Sequence, residues 1–271
     1  MSEERVTVAV SDGVADVRLN RPEKMNALDP AMFSAIREAA DAVSADASVR
    51  AVVLSGEGRA FCAGLDFASF QAMDDAGERR AASGELLARE AESRANAAQR
   101  VAWAWHEAPM PVIAAVHGVA FGGGLQMALG ADVRFVAPDA RLSIMEGRWG
   151  LVPDMAGTQL LRRLARLDVV KELTYTARIV HGAEAVEVGF ATHVSPEPRE
   201  AAVALAREIA GCSPDAVRAA KRLLNQSVEL DVGAGLALEA STQRSLIGTA
   251  NQLEAVRANL EKRPPVYADP A

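Results

Sequence analysis

Two small-residue loops and two carboxylates carry the residue types with which this chain could do chemistry. The first loop runs Arg59-Ala60-Phe61-Cys62-Ala63-Gly64-Leu65-Asp66, and the second runs from His117 through Gly122-Gly123-Gly124 to Leu125-Gln126. Small residues let backbone come close to a ligand or to another stretch of chain. A glycine run ahead of a helix exposes unpaired N–H groups with the positive end of the helix dipole behind them. Such donors suit an anion, or a carbonyl oxygen that gains negative charge during reaction. The same glycines also serve as tight turns with close packing. The second loop lacks GK[ST] and no GxGxxG occurs, so no nucleoside triphosphate site is expected.

Glu146 lies in a largely apolar stretch between Ile144 and Trp149. Burial there would raise its pKa toward a value useful for proton transfer, and Arg148 would oppose that if it pointed inward. Asp154 follows Pro153. It is either a second carboxylate in the same site, splitting the two pKa values, or a turn residue capping the next helix. Cys62 with His117 has the makings of a thiol nucleophile, but no third orienting residue accompanies them, and a small buried hydrophobe is the favoured reading. His106, His181 and His193 read as structural. Trp103 and Trp105, two apart, cannot share one helix face.

These groups need elements to hold them. Val6–Val10 and Ala15–Leu19 alternate around Ser11-Asp12-Gly13, which predicts a hairpin. Asp29-Pro30 opens a helix with Phe33, Ile36, Ala40 and Val43 on one face. Buried strands are predicted over Val49–Leu54, Val112–Val116 and Asp132–Val136, and a long helix over Gly84–Glu107, ended by Pro109 and Pro111. Strands separated by helices imply an α/β core with parallel pairing. From about residue 199 four helices follow in series, the last opened by Thr249 with Gln252 in a capping-box pattern. The expected organisation is a core over 1–198 and a helical region over 199–271.

Composition narrows the function classes. The 271 residues carry a net charge of −7, which argues against nucleic-acid binding. Cys62 and Cys212 make no disulfide framework or zinc spacing, and a cytoplasmic setting is expected. The uncharged run Ala108–Ala131 is long enough to span a bilayer, but its prolines and glycines predict a strand, a turn and a helix start instead.

The two loops occur in order with the segment 143–159 (SIMEGRWGLVPDMAGTQ), with Leu19-Asn20-Arg21-Pro22 and Asn26-Ala27-Leu28 near the start, and with Glu261-Lys262-Arg263-Pro264 at the end. In this set the chain resembles the enoyl-CoA hydratase/isomerase (crotonase) family over nearly its whole length. The resemblance implies a crotonase-like (ClpP/crotonase) spiral of β-α repeats with a C-terminal helical region that builds homotrimers, often paired into homohexamers. It implies an acyl-CoA thioester substrate of the kind used in fatty acid metabolism, with coenzyme A as part of the substrate, no separate cofactor and no metal.

By position, the N–H groups of Ala63 and Gly123 match the family's oxyanion hole, each such donor being worth about 3–4 kcal/mol to an enolate. Glu146 matches a catalytic glutamate. Gln126 stands where hydratases of the family carry their other one; an amide can orient water or substrate but exchanges no proton at neutral pH. One carboxylate suffices for a double-bond shift, whereas water addition in this family relies on two. Asp154 matches an aspartate of the family's dienoyl-CoA isomerases. Gly64, Leu65 and Asp66 fall in the substrate loop, with Asp66 read chiefly as holding loop N–H groups. Lys24 and Ala27 match a loop that contacts coenzyme A, Lys262 a lysine that reaches a neighbouring subunit's CoA phosphates, and 67–89 a segment that shapes the acyl pocket. The expected activity is hydration of 2-enoyl-CoA or isomerisation of 3-enoyl- or dienoyl-CoA. A weakly catalytic CoA-binding assembly protein and a Cys62-dependent thioester hydrolase are the readings from other classes.

Overall fold

The structure, a computed structural model, describes residues 4–66, 68, 84, 86–89 and 93–270. Val6–Ser11 (β1) and Val14–Leu19 (β2) pair as an antiparallel hairpin, and its turn residues Asp12 and Gly13 both have positive φ, as a two-residue loop requires. The Asp29 carboxylate accepts the Met32 N–H at 2.8 Å and so caps α1 (Pro30–Ala45). Next come β3 (Ala51–Gly56), α2 (Ala97–Glu107), β4 (Val112–Val116), β5 (Val119–Phe121), α3 (Gly123–Leu129), β6 (Val133–Val136) and β7 (Arg141–Ser143). A 3₁₀ turn over Met145–Trp149 leads to α4 (Gly157–Leu164), α5 (Leu167–Thr176), β8 (Val180–His181), α6 (Gly182–Glu187) and β9 (His193–Val194). Four helices close the chain: α7 (Pro198–Ala210), α8 (Pro214–Ser227), α9 (Val232–Leu246) and α10 (Ala250–Glu261).

Among the described residues the main sheet runs β1-β2-β3-β4-β6-β9, parallel from β2 onward, and β5-β7-β8 form a smaller sheet. β3 and β4 are buried along both faces because helices cover both. Val52, Leu54, Val112 and Ala114 face α1 and α2, while Ala51, Val53, Ile113 and Ala115 face Ala202, Ala206 and Ala210 of α7. Alanine at every fourth position brings α7 close to the sheet, so this first helix of the C-terminal run packs with the core. α8 is joined to it by Lys221, whose buried ammonium sits 2.8 Å from Asp132 and donates to the carbonyls of Trp105 and Met110.

The long helix expected over Gly84–Glu107 does not form. α2 starts at Ala97 behind a capping box in which Asn96 and Gln99 exchange side-chain to backbone bonds. Arg89 pairs with Asn96 as an antiparallel bridge, which a continuous helix cannot contain. Ser213 makes no side-chain cap on α8. Ala108–Ala131 folds as two strands, β4 and β5, and the short helix α3, one strand more than expected, and among the described residues no helix is long and apolar enough to cross a membrane.

Candidate active site

The two small-residue loops lie side by side. Cys62 N–H donates to Val119 O at 3.0 Å and Phe121 N–H to Cys62 O at 3.1 Å, a parallel bridge one residue long. A Cβ on Gly64, whose φ is 88°, would lie 2.6 Å from Phe121 O, and one on Gly124 would lie 2.5 Å from Cys62 O. These two glycines are therefore required by the contact itself.

The first loop is held on its other side by residues 25–28. Leu28 N–H donates to Gly64 O at 2.8 Å and Asp66 N–H to Leu28 O at 3.0 Å. In such a parallel bridge the intervening residue turns its own N–H the opposite way. Leu65 N–H accordingly faces away from Leu28 and has no partner among the described residues. Ala63 N–H, the expected oxyanion donor, is already spent on Met25 O at 2.9 Å, so the free donor of this loop is Leu65. In the second loop Gly122 N–H is spent on Ser143 O. Gly123 opens α3, and its N–H has no partner among the described residues, as expected of a first helical residue.

Leu65 and Gly123 line one cavity of about 320 Å³. Phe33, Ala98, Met145, Leu151 and Met155 give it apolar walls, and Glu146 and Asp154 bring carboxylates. Glu146 sits on the 3₁₀ turn, buried, while Arg148 is exposed. Glu146 Oε1 accepts from Gln126 Nε2 at 2.5 Å, and the buried Oε2 has no partner. A Cβ on Gly122 would stand 3.0 Å from Oε1, so the carboxylate rests against the glycine turn. Burial raises the pKa of Glu146, and the nearby charge of Asp154 adds to the rise. Asp154 stands exposed at the cavity's edge, its own pKa raised by partial burial. It caps no helix: the N-cap of α4 is Ala156, with φ 67° and no side-chain bond.

Gln126 is buried behind Glu146, outside the cavity lining. Its Oε1 accepts from Met155 N–H and Gly157 N–H, each at 2.9 Å. With the oxygen taken, the NH₂ end must face Glu146. Contrary to the expectation from sequence, this amide is turned toward protein partners, where it holds the acid and the 155–157 turn.

Cys62 is fully buried, its Sγ donates to Asn26 O at 3.1 Å, and burial pushes the thiol up to about 12. That ends the case for a Cys62-dependent hydrolase, which needs an accessible thiolate. His117 contacts Gly58 O, and burial pushes His106 down to about 4. Trp105 is core, while Trp103 packs beside His106. Asp66 is paired with the Arg21 guanidinium at 2.7 Å. Lys24 is exposed on the N-terminal loop, Ala27 is buried with its carbonyl bonded to Arg21, and Lys262 is exposed in a left-handed C-cap of α10. None of these three lines the cavity. The acyl-pocket segment 67–89 falls largely outside the described residues, although Leu86 and Leu87 line the cavity. Sequence reasoning missed Asn26 and Arg21 as participants, because Asn26 bonds to backbone more than thirty residues away and Arg21 pairs with the distant Asp66 carboxylate.

Two unspent backbone donors and a buried carboxylate around an apolar cavity, on a β-α core followed by helices, fit an enzyme that stabilises a negative carbonyl oxygen beside a proton carrier. The comparisons agree. The family model described as Enoyl-CoA hydratase/isomerase matches residues 9–270. Mitochondrial methylglutaconyl-CoA hydratase of Mus musculus is 34% identical over 262 residues, covering 94% of this chain and 79% of the relative. Mitochondrial enoyl-CoA hydratase domain-containing protein 2 of Mus musculus is 33% identical, covering 95% and 85%. The crystal structure of enoyl-CoA hydratase from Bacillus anthracis superimposes with a TM-score of 0.88 at 31% identity, covering 98% of this chain and all of that one. The chain belongs to the enoyl-CoA hydratase/isomerase family, with its crotonase-like core and acyl-CoA chemistry.

Proposed function

We propose that this enzyme shifts the double bond of a 3-enoyl-CoA to the 2-position, with Glu146 carrying the proton. The ionised Glu146 takes a proton from C2, and the electron pair passes into the thioester to give a dienolate. The negative thioester oxygen is held by the N–H groups of Leu65 and Gly123. Protonated Glu146 then returns the proton to C4, and the 2-enoyl thioester leaves with atoms and charge balanced. The observation that carries this reading is the unpartnered, buried Oε2 of Glu146 in the same lining as two unspent amides. The bonding of Gln126 to protein at both ends, outside the cavity lining, supports a shift over water addition.

A second reading, hydration of 2-enoyl-CoA, draws support from Asp154 at the same cavity and from the hydratase names of the relatives. Here Asp154 would activate water. Incubation with 2-enoyl-, 3-enoyl- and 3,5-dienoyl-CoA in heavy-oxygen water, followed by mass analysis, separates the two. A moved double bond without label supports isomerisation; label at C3 supports hydration; neither product overturns both.

The described lining carries acids and apolar groups but neither lysine nor arginine. This favours an uncharged acyl group over one ending in a carboxylate. Coenzyme A contacts are assigned to Lys24, the Ala27 backbone and Lys262, the last acting on a neighbouring copy. Within the helical region from residue 199, α7 packs on the core sheet, and assembly into a trimer or a hexamer is assigned to α8–α10. Its support is the exposure of Leu224, Val228, Leu236, Leu253 and Leu260 in the single chain.

A further inference from the structure

The segment 21–28 bonds to the backbone on both sides of Leu65, at Ala63 N–H, Gly64 O and Asp66 N–H, and leaves the Leu65 N–H itself unspent. Asn26 is completely buried, with φ 54°, and its Nδ2 donates to the carbonyls of Ala60 (2.8 Å), Glu57 (3.0 Å) and Phe61 (3.1 Å). Its Oδ1 accepts Arg21 N–H at 2.8 Å, and its carbonyl accepts the Cys62 thiol. Met25 O then takes Ala63 N–H, and Leu28 brackets Leu65 from both sides. Arg21 closes the arrangement: one guanidinium nitrogen donates to Ala27 O at 3.0 Å and sits 2.7 Å from Asp66, the residue after Leu65. Arg21 and Asp66 are both buried.

Two residues with left-handed φ in succession, Met25 and Asn26, are costly outside glycine, and they turn consecutive carbonyls toward the 62–66 loop. The site thus has a backing of side-chain and main-chain bonds that fixes one amide direction and leaves that amide unspent. We propose that Asn26 and the Arg21–Asp66 pair are positioning residues for the reaction, aiming the Leu65 N–H at the thioester oxygen without touching substrate. The inference rests on the assignment of Leu65 as an oxyanion donor. A misplacement of that amide by about 1 Å is enough to cost ~100-fold in rate.

The test uses a 3-oxoacyl-CoA, whose enolate absorbs in the near ultraviolet, alongside steady-state kinetics and melting curves. The wild-type chain is expected to enolise the bound ligand; if it does not, the donor assignment itself falls. Arg21→Lys and Asp66→Asn are expected to lower kcat and the bound enolate fraction together by about tenfold or more, with KM within about twofold. A purely structural role would lower the melting temperature but leave both unchanged per folded site. Folded variants with wild-type kcat and enolate signal overturn the proposal. Should a variant fail to fold, hydrogen exchange on the wild-type chain decides. Amide-resolved exchange is expected to protect the Ala63 and Asp66 N–H groups as strongly as those of β3 while the unspent Leu65 N–H exchanges faster, and fast exchange at Ala63 or Asp66 overturns the proposal equally.

Discussion

The cavity-bearing region and the last three helices handle apolar and charged side chains in opposite ways. Around Leu65 and Gly123 the large apolar groups Leu28, Phe61 and Leu125 are completely buried, and the ion pair Arg21–Asp66 is buried with them. On α8, α9 and α10, Leu224, Leu236, Leu253 and Leu260 are each more than half exposed. The corresponding ion pair there, Arg263–Glu254, is solvent-accessible, though Arg263 still holds the Glu254 carboxyl down to about 2. In the first region the layer behind Leu65 and Gly123 closes within the single chain, whereas the cavity's outer lining at Leu87, Trp149 and Leu151 is half exposed or more. The second presents apolar surface of the kind that marks association, so its final environment depends on what covers it.

That contrast can be broken or sharpened by substitution. The largest effect is expected from Glu146→Gln, which keeps size and loses the proton carrier. Turnover of every enoyl-CoA should fall by about 10²–10⁴-fold, while sedimentation stays unchanged. Gln126→Leu comes next. It leaves the Met155 and Gly157 N–H groups unpaired, at about 1–3 kcal/mol each in thermal unfolding. It also removes a donor that favours the ionised Glu146. The base form would then persist only at higher pH, so the acid limb of the rate profile should move up.

Leu236→Glu with Leu260→Glu should convert the sedimenting species to monomer and raise KM for acyl-CoA more than it lowers kcat. An equal loss of kcat would mean the two regions are not separable. Asp154→Asn is expected to act with the opposite sign to Gln126→Leu. Without the neighbouring negative charge Glu146 ionises more readily, so activity should be retained to lower pH. If hydration with Asp154 as second acid is the true reaction, this variant would instead lose activity at all pH values. The smallest effect belongs to Cys62→Ser, whose hydroxyl can still donate to Asn26 O, so kcat should change little and no free coenzyme A should accumulate.

Much of the scaffold was legible because its signals are local. The hairpin follows from Asp12-Gly13, α1 from Asp29-Pro30, and β4 from a β-branched run between Pro111 and His117. The break before α2 was misread because Ala, Glu and Arg favour helix on both sides of it. The Asn96…Gln99 pair was the available cue, and it is as local as the capping pattern at Thr249. The donor assignment failed for a different reason. Consecutive amides look alike in sequence, and the one that is spent was decided by Met25, far away in the chain. Gln126 was found by position, but its partners at Met155 and Gly157 exist only in the folded state.

The amide of Gln126 ties catalytic character to cavity shape in a single side chain. Its oxygen anchors the floor of the pocket while its nitrogen meets the acid, so an exchange of NH₂ for oxygen at this position would leave the anchor intact. The second oxygen would then lie against Glu146 at a separation where two carboxyls must share one proton. The scaffold is therefore one isosteric replacement away from a paired-acid centre, and Gln126→Glu is the change by which water-adding chemistry could be gained without rebuilding the fold.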